Sequence, residues 1–363
     1  MKTRLCLLAM WLFFLSVLSL PAAQADPLTI TFTFAGDCVV GAGARVYGKL
    51  GSYIDFIKTR GPEYPFAKVR DLFAGDDVTM VNLEGVLQDS ADGKRSGPLY
   101  HFRGPTAYTQ ILTLAGIEAV NLGNNHSMDY GLRGLQSTRD ALNAAGIGYC
   151  IDEDVYYYHK QGVTVAVLGF RGSGFTPRNA VAERLIPELK QSGVQFIIVH
   201  LHSGTEYSNR HSSATQAIAR RLIDIGADFI VGHHPHVLQG VEVYKNRTIL
   251  YSLGNFSFGG IRGVRNAAIQ TMAVRLTVVF DERYQSQQIT LYPARSAGYT
   301  QKEWYQPVLV GGKEADAIIN LVQKDTAFPL QPYREGFGAV QDILIRDPFE
   351  DRTGGEWLVT DGN

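Results

Sequence analysis

Histidine is concentrated in two short segments of this chain. There are nine histidines in 363 residues, and five of them lie within residues 199–204 and 232–236, each at the end of an apolar run. A third apolar run ends in Gly123-Asn124-Asn125-His126. Imidazole, amide and carboxylate side chains together suit divalent Mn, Fe or Zn better than Mg or Ca, which prefer oxygen ligands alone. The clustering therefore indicates a metal or phosphate site.

The spacing of these histidines predicts where their side chains point. Side chains two residues apart on an extended segment lie on the same face. His200 and His202 have this spacing, and so do His234 and His236, where we expect Pro235 to keep the backbone extended. A single histidine is more often a hydrogen-bonded core or surface residue. Polar side chains at several strand ends together favour a metal or phosphate site.

The elements that must position these residues follow an α/β pattern. Apolar runs alternate with amphipathic segments, and beyond residue 240 the apolar period changes to two, with short turns such as Lys245-Asn246-Arg247. We expect two facing sheets with helices outside. The predicted strands cover residues 28–35, 78–83, 117–122, 163–170, 194–201, 228–231, 241–244, 248–252, 271–280 and 287–292, and the predicted helices cover residues 131–145 and 213–225.

Polar side chains follow several of these strands. Asp37 closes the first strand, Glu84 follows the second, and Asn125 and His126 follow the third. In an α/β sheet, the loops at the carboxyl ends of the strands converge on one crevice. We therefore expect these side chains to meet the two histidine segments there.

The two ends of the chain are set apart from this domain. Residues 1–25 begin with basic residues, continue with an apolar run and finish with small residues. This pattern predicts an export signal that is cleaved after Ala25. A membrane anchor is the alternative, but Pro21 ends the apolar run short of the ~20 residues that a span needs. We expect one domain over residues 26–325 and an extension of unassigned structure over residues 326–363.

Composition and charge limit the partners. The net charge of −1 becomes −3 once Lys2 and Arg4 leave with the signal, which is too balanced for a nucleic-acid surface. No second apolar stretch approaches the length of a membrane span. We therefore expect an exported protein, periplasmic or extracellular, with no stable membrane span after cleavage. Cys38 and Cys150 could form a disulfide in an oxidising compartment or remain buried free thiols.

Four blocks of the sequence resemble a known family. Residues 121–131, 202–207, 232–240 and 251–256 are similar, in this order, to the signature blocks of the CapA-type poly-γ-glutamate capsule biosynthesis family. The likeness spans roughly residues 28–325. It implies the fold of the calcineurin-like metallophosphatases, a four-layer α/β-β/α sandwich of two mixed sheets. It also implies one or two divalent metal ions at the strand ends.

The resemblance implies roles for individual residues. The implied metal ligands are Asp37, Glu84, Asn125, His202, His234 and His236. Glu84 stands where the metallophosphatases have a bridging aspartate, and His126 is implied to stabilise the departing group. His200 and His233 are then structural neighbours. Metallophosphatases also have a histidine two residues after the first aspartate, and this chain has Val39 there, so the resemblance implies the fold more strongly than catalysis.

Three functions follow from these residues and from the resemblance, which alone implies the second. The first is a metal-dependent hydrolase that acts on a phosphoester or another bond in an anionic extracellular polymer, through water that the metal activates. His126 would be its general acid, and Arg103 would bind an anionic oxygen or, alternatively, be a solvated loop cation. The second is a non-catalytic accessory of the capsule synthesis or export machinery. The third is a binding module that has lost its metals. We expect Asp129 to cap the helix that begins near Gly131, and contact with the site is the alternative.

Overall fold

The computed structural model describes residues 26–96, 100–172, 175–258, 269–280, 285–297 and 304–344. The predicted export signal and residues 345–363 lie outside the described residues. Within the described ranges, no helix is long and apolar enough to cross a membrane.

Most strands belong to two mixed sheets, and we number them in chain order. The first sheet contains, in spatial order, β17 (Val308–Leu309), β16 (Gln285–Arg295), β15 (Gln270–Phe280), β1 (Leu28–Cys38), β3 (Val78–Leu83), β6 (Ala119–Asn121) and β7 (Gly148–Cys150), with β14 (Asn255–Ser257) beside β1 and β18 (Ala339–Leu344) beside β16. The second contains β12 (Val241–Tyr244), β13 (Arg247–Leu250), β11 (Phe229–His233), β10 (Phe196–His202), β9 (Val163–Arg171) and β8 (Tyr156–Lys160).

Helices and a small third sheet complete the domain. The small sheet contains β2 (Ala42–Gly43), β5 (Phe102–Gly104) and β4 (Val86–Leu87). The α-helices are α1 (Tyr53–Arg60), α2 (Arg70–Phe73), α3 (Thr109–Ala115), α4 (Gly131–Ala144), α5 (Phe175–Gln191), α6 (Ser213–Asp224) and α7 (Gly312–Gln323), and short 3-10 helices cover Tyr64–Phe66 and Thr106–Tyr108.

Three apolar clusters define four layers. The central cluster fills the space between the two sheets and includes Phe34 of β1 and Phe229 of β11. A second cluster packs α3 and α4 on the outer face of the first sheet, for example through Leu112. A third packs α5 and α6 on the outer face of the second sheet, for example through Leu222. The predicted four-layer sandwich of two mixed sheets is thereby confirmed.

Several predicted elements agree closely with the structure. The strands predicted over residues 78–83 and 241–244 have those bounds, and the predicted turn at Lys245-Asn246 has a positive φ at both residues, as a tight hairpin turn requires. The part after residue 240 contains both kinds of pairing, because β13 pairs antiparallel with β12 and in parallel with β11. Cys38 and Cys150 are buried free thiols, the second of the two alternatives.

The C-terminal segment contributes to the first sheet. Strand β18 lies within the predicted extension and pairs antiparallel with β16, with Ala339 opposite Leu291. This part of the segment is therefore built into the sandwich.

Candidate metal centre

A bulge at the end of β1 places Asp37 at the edge of the first sheet. The register of β1 with β3 shifts between Ala35 and Asp37. Gly36 makes this possible, because a Cβ at this position would lie 1.9 Å from the carbonyl oxygen of Gly254. The Asp37 amide donates a hydrogen bond of 2.9 Å to that oxygen. Asp37 thus lies between β3 and the segment that leads into β14.

Glu84 is the carboxylate at the middle of the site. It follows β3, and its amide donates to the Cys38 carbonyl at 2.8 Å. The side chain is fully buried, and neither carboxylate oxygen has a hydrogen-bond partner. One ligand atom from each of Asp37, Glu84 and His236 lies within 4.8 Å of the other two. Three of the predicted ligands therefore share one small volume.

The remaining predicted ligands lie near this group. His202 Nε2 lies 3.8 Å from Glu84 Oε1 and 2.7 Å from Asn125 Oδ1. The His234 ring centroid is 4.8 Å from that of His202 and 6.1 Å from that of His236. The structure therefore places the six predicted ligands in one neighbourhood, with Asp37, Glu84 and His236 closest together.

The backbone at His234 and His236 differs from the prediction. Their φ angles are 99° and 60°, so Pro235 does not hold an extended segment, and that expectation is wrong. Left-handed conformations of this kind cost non-glycine residues ~1–3 kcal/mol each and persist where the surrounding structure requires them. The turn aims His236 Nδ1 at Asn255 Oδ1, at 2.8 Å, and at Asp37 Oδ2, at 3.3 Å.

Buried amides hold the ligands in place, and the spacing of the histidines did not reveal them. Asn82 Nδ2 donates to Asp37 Oδ1 at 2.8 Å and lies 3.3 Å from His202 Nδ1. Its Oδ1 accepts from the side chains of Asn121 and Asn124. The available signal was an asparagine inside the otherwise largely apolar, fully buried strand β3, because a buried polar group needs partners.

The electrostatics favour a bound cation. Burial and the Asp37 carboxylate raise the pKa of Glu84 to about 7. Burial lowers the pKa of His236, but the Glu84 and Asp37 carboxylates outweigh it and raise this pKa to about 10. Burial lowers the pKa values of His202 and His234 and keeps these imidazoles neutral, the form in which imidazole binds metals.

His126 and Asp129 form a pair beside the proposed ligands. His126 Nδ1 lies 2.8 Å from Asp129 Oδ2, and His126 Nε2 lies 3.8 Å from Glu84 Oε1. Burial lowers the pKa of His126, but the hydrogen bond to Asp129 and the charge of Glu84 raise it overall. Asp129 Oδ2 also accepts from the Phe102 amide. The prediction that Asp129 caps α4 is wrong, since the cap residue is Tyr130 and no side chain bonds there.

Arg103 is buried, with 7% of its surface exposed, so it is not a solvated loop cation. Its Nη1 donates to the carbonyls of Gln88 and Asp89, both at 2.7 Å, and the guanidinium lies 4.0 Å from the centroid of the Tyr47 ring. These contacts hold the loop around β5. Anion binding by Arg103 stays a prediction that no contact supports.

The residues present fit a divalent cation. The test is the Glu84 carboxylate, because a buried anion without any hydrogen-bond donor is costly unless a positive charge compensates it. Val39 supplies no ligand: its side chain is buried, and its amide donates to the Ser257 carbonyl. The donor set of carboxylates, imidazoles and an amide suits a transition metal better than Mg.

Comparison with known proteins identifies the family. Residues 31–260 match the family model described as bacterial capsule synthesis protein PGA_cap. The chain belongs to this family. Membership and the two-sheet sandwich together confirm the predicted metallophosphatase-like fold class.

Curated relatives of the PGA_cap family are similar along much of the chain. The capsule biosynthesis protein CapA of Bacillus anthracis is 29% identical over 277 residues, which are 69% of this chain and 65% of that protein. The PGA biosynthesis protein CapA of Bacillus subtilis (strain 168) is 32% identical over 230 residues, which are 58% of this chain and 60% of that protein. This chain therefore spans less than two thirds of the length of either relative.

Two solved structures are similar at low identity. A hypothetical protein from Thermus thermophilus has a TM-score of 0.44 and 15% identity, and the match covers 72% of this chain and 99% of that one. A purple acid phosphatase from yellow lupin seeds has a TM-score of 0.36 and 11% identity, covering 78% of this chain and 54% of that one.

Proposed function

We propose that this member of the PGA_cap family is an exported, metal-dependent hydrolase. Its substrate would be a phosphoester or another bond in an anionic extracellular polymer of capsule or poly-γ-glutamate metabolism. The observation that carries the proposal is Glu84, a buried carboxylate without hydrogen-bond partners that shares a small volume with ligand atoms of Asp37 and His236.

The proposed centre divides its work between two groups of residues. Asp37, Glu84 and His236 have ligand atoms close together, and His202 contacts Asn125 and lies 3.8 Å from Glu84, so these residues together with His234 would hold one or two divalent ions. When bound, such ions neutralise charge on a substrate oxygen and make water a better nucleophile near neutral pH. The side chains orient the substrate and keep bulk water away.

His126 is placed to give a proton to the leaving group. With Nδ1–H donating to Asp129, its Nε2 faces Glu84 and can carry the proton to be transferred. The Asp129 carboxylate fixes the ring orientation and stabilises the protonated form. The Phe102 ring, with its centroid 4.7 Å from that of His126, shields this pair on one side.

The site of action and the substrate are inferred from the sequence and from the relatives. Export is supported by the pattern of residues 1–25. The polymer is supported by the names of the relatives, since the Bacillus subtilis protein is called a PGA biosynthesis protein.

Phosphoester turnover tests the hydrolase directly. We expect purified protein to hydrolyse p-nitrophenyl phosphate or its diester with Mn or Zn, and EDTA to stop the reaction. His126→Asn should lower kcat by ~10²–10⁴-fold, the usual contribution of a general acid. The matched control His159→Asn changes a histidine on β8 that bonds Thr164 and should leave kcat unchanged. An unaltered kcat in His126→Asn would remove the assigned role.

A non-catalytic accessory role is the second candidate. Val39 stands where the metallophosphatases have a ligand, and a Mycobacterium tuberculosis relative, 29% identical over 241 residues, is named a probable polyglutamine synthesis accessory protein. If this role is correct, deleting the gene reduces surface polymer and His234→Ala restores it as well as the wild type does. A His234→Ala variant that folds but fails to complement would support the metal-dependent function.

A further inference from the structure

Two buried histidines lie behind Asp37 and are not among the proposed ligands. His200 of β10 and His233 of β11 are 0% and 1% exposed. His200 Nδ1 lies 2.9 Å from His233 Nε2, and His233 Nδ1 lies 3.4 Å from Asp37 Oδ1. The Phe34 ring packs edge-on against His200, with ring centroids 5.5 Å apart. The pair thus runs from the apolar core to the back of the Asp37 carboxylate.

With both rings neutral, one arrangement of protons suits this pair. His233 Nδ1 lies 3.4 Å from a carboxylate oxygen without completing a hydrogen bond, and a proton on this nitrogen is favoured because a lone pair in that position would repel the anion. In the neutral ring, Nε2 is then an acceptor. His200 must therefore donate from Nδ1 to His233 Nε2. The His200 Nε2 atom then carries no proton, and its lone pair faces the core. That nitrogen has no hydrogen-bond partner.

The two oxygens of Asp37 have different surroundings. Oδ1 accepts from Asn82 Nδ2 at 2.8 Å and faces His233 Nδ1. Oδ2 lies 3.3 Å from His236 Nδ1 and 3.4 Å from the His234 amide, on the side of the proposed ligands. The Asn82 donor and the His233 ring lie behind Oδ1 and leave Oδ2 on the side of the centre. Partners of this kind orient a ligating carboxylate and raise its affinity for the metal.

We propose that His233, held by His200, is a positioning residue that orients Asp37 and thereby sets the metal affinity of the centre. This inference rests on the proposed metal-dependent function. His233 is not among the proposed ligands, because its Nδ1 faces Asp37 Oδ1 and its Nε2 faces His200 Nδ1. The pair also explains why two of the five clustered histidines are buried away from the ligand group.

Zinc titration of the full chain by calorimetry tests the proposal. His233→Leu removes the imidazole that lies 3.4 Å behind the Asp37 carboxylate and should weaken zinc binding ~10–100-fold, the usual effect of losing such a partner. His233→Asn places an amide nitrogen where Nδ1 was and should restore the affinity to within about threefold. His200→Leu should cause a smaller loss than His233→Leu. The matched control His159→Leu should bind zinc as the wild type does.

Nitrogen chemical shifts provide a readout that does not need the metal or a variant. The metal-free protein should show both His200 and His233 protonated at Nδ1. Protonation of His233 at Nε2 instead, or wild-type zinc affinity in folded His233→Leu, would overturn the inference while leaving the proposed function intact. A wild-type chain that binds no zinc, manganese or iron would overturn both.

Discussion

Replacing Glu84 by glutamine should stabilise the metal-free protein. Burial and the Asp37 carboxylate raise the pKa of Glu84 from 4.5 to about 7. One pKa unit is worth ~1.4 kcal/mol, so ionised Glu84 costs the metal-free folded state about 3 kcal/mol. Glutamine has nearly the same shape and carries no charge. Glu84→Gln should therefore raise the free energy of unfolding by about this amount above pH 7.

The pH dependence has a definite sign. A carboxyl group whose folded-state pKa is raised loses its proton first in the unfolded state, so wild-type stability falls as the pH rises from 4.5 to about 7. The Glu84→Gln variant should not lose this stability as the pH rises. The gain should be about 3 kcal/mol at pH 8 and below ~1 kcal/mol at pH 5.

Urea unfolding in EDTA at pH 5 and pH 8 measures the difference in stability between Glu84→Gln and the wild type. With saturating Mn or Zn, the wild type should become the more stable of the two. At a metal concentration of 100 times Kd, the wild type gains ~2.7 kcal/mol, and the variant gains less because it has lost an anionic ligand. Glu206→Gln, which changes an exposed carboxylate, is the matched control and should change neither value. A metal-free Glu84→Gln variant that is less stable than the wild type at pH 8 would refute the reasoning.

Three further substitutions test the framework of the site. Gly36→Ala places a Cβ 1.9 Å from the Gly254 carbonyl oxygen, so it should cost ~1–3 kcal/mol or more in urea unfolding; an unchanged free energy of unfolding would contradict the proposed close approach. Asn82→Leu removes the donor to Asp37 and should weaken zinc binding ~10–100-fold by calorimetry, and wild-type affinity would show that the amide is dispensable. The buried Asp228 carboxylate accepts hydrogen bonds from Ile197 N and Arg247 Nε. Asp228→Asn should therefore cost ~3–5 kcal/mol of stability without changing the metal content. Loss of metal from folded Asp228→Asn would show coupling that the structure does not predict.

Local patterns predicted the sandwich, because apolar period and turn residues act over short distances. The strand over residues 78–83 is an apolar run with correct bounds, and Lys245-Asn246 forms the predicted tight turn. Long-range pairings have no such local signal. Neither β14 beside β1 nor β18 beside β16 could be read from periodicity, because each partner lies many residues away in the sequence.

In the candidate site too, some features could be predicted from the local sequence and others could not. Asp37 and Glu84 were predictable, because polar residues that end apolar strands must converge at one edge of the sheet. The left-handed turn at His234 and His236 was not, because the surrounding contacts hold a conformation that neither residue prefers. Asp129 stands where a helix cap is expected, but its carboxylate bonds His126 and the Phe102 amide instead. Tertiary contacts here outweighed the local preference.

Metal content tests the central claim most directly. The purified chain should be equilibrated with Mn, Fe or Zn, passed through a desalting column and measured by elemental analysis, with Glu84→Ala in parallel. The buried Glu84 carboxylate and its neighbouring imidazoles predict one or two ions per wild-type chain and fewer in the variant. A wild-type chain that retains no stoichiometric ion of any of the three metals would contradict the account.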